Sequence, residues 1–173
     1  MDTRVDRRLV LLRHAKSDWP TGVPDRERPL GKRGRAEAPQ AGRWLAATGV
    51  LPDIALVSPA RRTRETWQLV LSQLDADVAT RVEDDVYSGG VLGSLELLRG
   101  LDDGVRTALV VGHNPTTESL ALLLQDGTGV AEDRARMAGK YPTGGLAVLH
   151  LQVPRWSDLD ESTARLMAFA VPR

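Results

Sequence analysis

Leu9-Val10-Leu11-Leu12-Arg13-His14 is a short apolar run that stops on two polar residues, and Ala108-Leu109-Val110-Val111-Gly112-His113 repeats the pattern much later in the chain. Apolar runs of this length, bounded by polar and turn residues, read as strands buried on both faces. Working outward, further runs of strand character fall at 54 to 58, 78 to 82, 145 to 151 and 164 to 170, beside 8 to 13 and 107 to 112. Between them lie segments of helical period. The alternation implies an α/β domain around a mostly parallel sheet of about six strands.

From Gly34 to Ala47, the residues Ala38, Ala41, Trp44, Leu45 and Ala47 suit one helix face, and Gly49 suits its end. Ser58-Pro59 closes a strand and opens a helix through Thr66, Leu69 and Val70 to about Leu74. A third helix is expected near 93 to 101. A fourth runs from Asn114-Pro115 to Leu124, with Asn as N-cap and Pro as first residue. The Pro-, Gly- and charge-rich segment from Trp19 to Gly34 and the segment 125 to 144 read as long loops. No long helix separates the last two strands, so they are expected to form an antiparallel edge pair.

The 173 residues suit a single domain with one core, and residues 1 to 7 read as a flexible charged N-terminus. Lys plus Arg and Asp plus Glu are both 23, so no global field draws the chain to nucleic acid or an anionic membrane. Any anion site has to be made locally. The chain has no cysteine, which excludes disulfide and thiol chemistry and suits a reducing compartment. The apolar run after the charged start is too short for a signal peptide or a membrane span. A soluble cytoplasmic protein is expected.

Arg13, His14, Ser58 and His113 all stand at the carboxyl ends of predicted strands, where ligands gather in open α/β sheets. Arg62 follows one helical turn after Ser58. A phosphoryl group in transit spreads negative charge over its oxygens, and guanidinium forks fit it in pairs. A neutral imidazole is a competent nucleophile toward phosphorus, and neighbouring guanidinium groups disfavour its protonation. Its other nitrogen should be held by a backbone carbonyl or a similar acceptor. His113 is expected to donate to a phosphate oxygen beside the helix that starts near Pro115. The residues thus read as a phosphate site with a histidine nucleophile.

With Ser58-x-x-x-Arg62 between the two histidine strands, the arrangement resembles the phosphoglycerate mutase-like histidine phosphatase superfamily. The stretch Arg13-His14-Ala15-Lys16-Ser17-Asp18-Trp19-Pro20, together with Arg28-Pro29-Leu30 and Gly112-His113-Asn114-Pro115, is similar to its small SixA-like phosphohistidine phosphatase branch. The resemblance covers the chain from about Leu9 to the strand after Gly145. It implies a three-layer α/β/α sandwich, His14 as nucleophile forming a covalent phosphohistidine, and Arg13, Arg62 and His113 around the phosphate. Ala15 departs from the superfamily's Gly, implying that this position needs no left-handed backbone.

No cofactor and no metal is implied, because His14 and His113 lack a third ligand in a recognisable motif. The proton donor is open among Asp18, Glu83, Asp84, Asp85 and Glu118. The imidazole of a phosphohistidine can be protonated before it leaves and asks less of an enzyme acid than an alkoxide does. The main expectation is therefore dephosphorylation of protein phosphohistidine. Hydrolysis of a small phosphomonoester or nucleotide, mutase chemistry and a non-catalytic phosphate-binding module are the rivals. Phosphate or sulfate is expected to fit the site. Ser58 reads as a helix cap, Thr66 as packing, Arg61 and Arg64 as solvated or ion-paired, and His150 as structural. Trp19 and the cluster Lys32-Arg33-Gly34-Arg35 are candidates for the rim.

Overall fold

A computed structural model describes residues 5–173. Seven strands form one sheet in the order β3-β2-β4-β1-β6-β7-β5. They are β1 (Arg8–Arg13), β2 (Ile54–Val57), β3 (Ala79–Val82), β4 (Thr107–Gly112), β5 (Gln125–Gly129), β6 (Leu146–Leu151) and β7 (Ala164–Ala170). The helices are α1 (Lys32–Thr48), α2 (Arg61–Leu71), α3 (Asp84–Ser88), α4 (Gly90–Arg99), α5 (Thr116–Leu124) and α6 (Ala131–Gly139). Strands β3, β2, β4 and β1 pair in parallel, whereas β6 runs antiparallel to both β1 and β7.

Alternation along each strand sends side chains to both faces of the sheet. Leu9, Leu11, Val110 and Leu149 meet Leu98 of α4, Leu120 and Leu124 of α5, and Met137 of α6. On the opposite face, Val10, Leu12, Leu109 and Val111 meet Leu45 of α1 and Trp67 and Val70 of α2. All six residues of β4 are buried, as expected of a central strand covered on both sides. Each fully buried leucine here is worth about 1.5–3 kcal/mol relative to exposure. The three-layer α/β architecture follows from these two apolar interfaces.

Several boundaries differ from expectation. Helix α2 begins at Arg61 with Ala60 before it, so Pro59 lies outside the helix and Ser58 supplies no cap. Helix α5 begins at Thr116, one residue beyond Pro115, while Asn114 Oδ1 accepts from Glu118 N at 3.3 Å. Segment 125 to 144, read as loop, contains β5 and α6, which makes seven strands in place of about six. The antiparallel pair β6–β7 forms, and β5 adds outside β7. Most of the expected flexible start, residues 1 to 4, lies outside the described residues. Its last member, Arg7, is buried and donates to the Asp103 carbonyl at 2.7 Å. Among the described residues, no helix is long and apolar enough to cross a membrane.

Helix α1 packs on the chain just beyond β1. Its face of Gly34, Ala38, Ala41, Gly42 and Leu45 is buried, and at Gly34 an added Cβ would lie 2.1 Å from the Lys16 carbonyl oxygen. Only glycine permits that approach. The consequence is that the segment leaving β1 is pressed against α1 immediately after His14.

Candidate active site

The order β2-β4-β1 places three parallel strands side by side, with Val57 opposite Val111 and Arg13 opposite Gly112. Their carboxyl ends therefore deliver Ser58, His113 and His14 to one edge of the sheet. A cavity of about 410 Å³ opens there, lined by Arg13, His14, Lys16, Ser17, Trp19, Asp25, Arg28, Arg62, His113, Asn114 and Thr143. The rings of His14 and His113 lie 5.3 Å apart between centroids. Arg13, His14, Arg62 and His113, read separately from distant stretches, thus share one cavity.

His14 Nδ1 lies 2.7 Å from the Ala15 carbonyl oxygen. That oxygen only accepts, so Nδ1 carries the proton and Nε2 keeps its lone pair. The Ala15 peptide is held in turn: its N–H donates to Thr66 Oγ1 at 3.0 Å, and Thr66 Oγ1 donates to the Arg62 carbonyl at 2.7 Å. Thr66, expected to be packing only, joins the nucleophile's loop to the helix carrying Arg62. Ala15 is fully buried and does not adopt positive φ, so the Gly-to-Ala departure costs no backbone strain.

Burial is the main reason the His14 pKa falls, to about 3. His113, Arg62 and Arg13 push in the same direction, while the bond to the Ala15 carbonyl opposes them. The guanidinium groups therefore assist desolvation in keeping the ring neutral, where the sequence reading gave them the leading part.

His113 differs from expectation. Arg62 Nη2, which can only donate, lies 3.1 Å from its Nδ1, so the Nε2–H points to Ser58 Oγ at 2.7 Å. Both ring nitrogens are engaged, and burial followed by Arg62 holds its pKa down at about 4. In this state His113 braces Arg62 and offers no free donor to a phosphate. Arg62 is further fixed by Asp25, donating from Nη1 to its carbonyl at 2.7 Å and from Nη2 to Oδ2 at 3.1 Å. Arg13 donates to the Tyr141 carbonyl at 2.8 Å.

None of the acids proposed from sequence lines the cavity. Asp18 is exposed and meets Arg28 only through its backbone carbonyl; Glu83 pairs with Arg81, and Asp84 with Arg26. Asp85 is exposed, and Glu118 accepts from Asn114 Nδ2 at 3.3 Å. The carboxylate that does reach the cavity is Asp25, from a short 3-10 turn at Asp25–Glu27 in the segment read as a loop. Burial raises its pKa, but hydrogen bonds from Tyr87, Arg28 and Arg62 outweigh that and bring it to about 2. Of the basic cluster, none lines the cavity; Arg33 pairs with Glu37. Arg61 pairs with Glu65, Arg64 binds the Pro59 carbonyl, and His150 meets Asp6 far from the site.

A model of the Histidine phosphatase superfamily (branch 1) matches residues 9–85, which contain His14 and Arg62. An uncharacterized protein of Mycobacterium tuberculosis strain H37Rv is 39% identical over 163 residues, covering 94% of this chain and 100% of that protein. The solved structure of a candidate phosphohistidine phosphatase SixA from Nakamurella multipartitia is 31% identical, with a TM-score of 0.81 over 96% of each chain. The chain belongs to the histidine phosphatase superfamily. A second superfamily structure, a candidate SixA from Agrobacterium tumefaciens, is also 31% identical, with a TM-score of 0.77 over 96% of this chain and 99% of that one. Of the residues singled out from sequence, Arg13, His14, Trp19, Arg62 and His113 line the cavity, while Asp25, Tyr87 and the positioning part of Thr66 were missed.

The depressed His14 pKa has a measurable consequence. An unfolded imidazole takes a proton near 6.5, whereas the folded ring stays neutral down to about 3. Between those values this residue binds more protons in the unfolded chain, so the stability that His14 contributes is fully present above pH 6.5 and is lost as pH falls toward 3. Urea unfolding at pH 7 and pH 5 is expected to show a smaller loss for His14→Gln than for the parent chain. Equal losses would contradict the assigned protonation state.

Proposed function

We propose that this superfamily member is a metal-independent phosphatase that removes phosphate from protein phosphohistidine through a covalent intermediate on His14. The observation that carries this reading is the His14 ring, with Nδ1–H fixed on the Ala15 carbonyl and Nε2 unprotonated in a cavity shared with Arg13 and Arg62. Nε2 attacks phosphorus as the P–N bond to the substrate imidazole breaks; that imidazole, having taken a proton from solvent, leaves neutral. Water then attacks, the P–Nε2 bond breaks with its electron pair returning to Nε2, and the surplus proton passes to solvent. The guanidinium groups hold the equatorial oxygens and supply the positive charge.

The choice of substrate rests on the missing acid. A monoester expels an alkoxide-like oxygen and profits from a carboxylic acid in reach. Asp25, the carboxylate lining this cavity, has a pKa of about 2 and is tied to two guanidinium groups and a phenol, so it holds no proton to give near neutrality. A protonated phosphohistidine needs none. The likeness to candidate SixA structures across nearly the whole chain supports the same substrate, and the cysteine-free composition suits the cytoplasm.

The deciding assay compares a phosphohistidine carrier protein, phosphoramidate and a panel of phosphomonoesters side by side in excess chelator. Fastest turnover is expected on the carrier protein, with Asp18→Asn, Glu83→Gln and Asp85→Asn close to the parent. Turnover of a monoester with none of phosphohistidine, or loss of a monoester activity in one of those variants, would favour a small-molecule phosphatase instead.

A further inference from the structure

Trp19 is 76% exposed, the most exposed of the large hydrophobic side chains described, yet it lines the same cavity as His14. Its position is fixed from behind. The Arg28 guanidinium stacks on the indole with Cζ 3.2 Å from the ring centroid. Arg28 is itself 6% exposed and donates to Ser17 Oγ at 2.7 Å, the Asp18 carbonyl at 3.0 Å and Asp25 Oδ1 at 3.0 Å. The segment carrying both residues is closed at its base. Asp18 N donates to the Pro29 carbonyl and Gly31 N to the Lys16 carbonyl, both at 2.9 Å, and Leu30 N donates to Glu65 Oε2 at 2.8 Å. A large apolar ring is thus held in place at the mouth of a polar, arginine-lined pocket, with one face covered by a buried cation and the rest open to solvent. Leaving an indole in water forgoes the free energy of burying it, and the phosphate itself gains nothing from a flat apolar wall.

We propose that Trp19 is a specificity-determining residue that stacks on an aromatic ring borne by the leaving group. The identity of that ring, the imidazole of phosphohistidine, rests on the function proposed above. The ring preference itself does not. Arg28, with its donors committed to Ser17, Asp18 and Asp25, acts as a positioning residue for the indole. A flat leaving group bonded directly to phosphorus would meet the indole as phosphorus meets Nε2, and such aromatic pairing has the geometry that rings favour.

The test uses two substrate pairs that differ in the presence of a ring: N-phosphoimidazole against phosphoramidate, and para-nitrophenyl phosphate against acetyl phosphate. In Trp19→Ala, kcat/KM on the ring-bearing member of each pair is expected to fall about tenfold, with the ringless member within about twofold of the parent. Trp19→Phe should restore most of the loss, whereas Trp19→Leu, which still covers Arg28 but lacks a π face, should not. Equal losses on all four substrates would show that Trp19 merely holds its segment, and no loss on any would remove it from recognition; either overturns the proposal. Should the parent chain hydrolyse only the two P–O substrates, the phosphohistidine reading fails while that pair still decides the ring preference.

Discussion

Replacing His14 by alanine is expected to lower turnover by roughly 10⁴-fold or more, because under the proposed mechanism it removes the group that carries the phosphoryl between substrate and water. The arginines proposed to bind phosphate stay behind, so a small residual rate and near-native affinity for inorganic phosphate should remain. A fold check by circular dichroism separates this from unfolding, since the 7% exposed ring leaves a void when truncated. The covalent step gives a second readout. Rapid acid-free quenching of the parent with labelled substrate should trap a base-stable, acid-labile phosphoryl group on residue 14, and His14→Ala should trap none. Equal rates for the two proteins would remove the nucleophile altogether.

How much of this was legible beforehand depended on which force builds each element. Strands β1 and β4 are visible because burial on both faces demands uninterrupted apolar runs, and their ends point to His14 and His113 without further information. Strand β5 is Gln-Asp-Gly-Thr-Gly, with no side chain to bury. It exists because Gly129 lets the chain approach β7 so closely that a Cβ would sit 2.0 Å from the Leu166 oxygen. Helix α6 buries Met137 alone, which leaves no apolar stripe to read. Asp25 sits in Asp-Arg-Glu-Arg, where neighbouring charges look alike. Only the tertiary path of that segment sets it against Arg62, 37 positions away. The strand-end chemistry is local and therefore readable; the charges that hold it in place are not.

That distinction bears on the second large effect expected, from Arg62→Ala. Deleting one preorganised charge donor typically costs about 3 kcal/mol, so a loss of roughly a hundredfold or more in kcat/KM is expected. Two structural consequences add to the lost donor. His113 Nδ1 loses the guanidinium that fixes its tautomer, and Asp25 keeps only Arg28 and Tyr87 as partners. Arg62→Lys should recover little, because a single ammonium cannot span the Asp25 carbonyl, the Asp25 carboxylate and His113 as the planar fork does. If Asp25 acts by aiming Arg62, then Asp25→Asn should slow the parent but have a markedly smaller effect once Arg62 is gone, a non-additivity read from a double-mutant cycle. Additive losses would mean that Asp25 acts independently of Arg62, and near-native turnover in a folded Arg62→Ala protein would mean that the phosphate is clamped elsewhere. In the proposed mechanism the neutral ring of His14 supplies the lone pair, and this network determines whether phosphorus is presented to it.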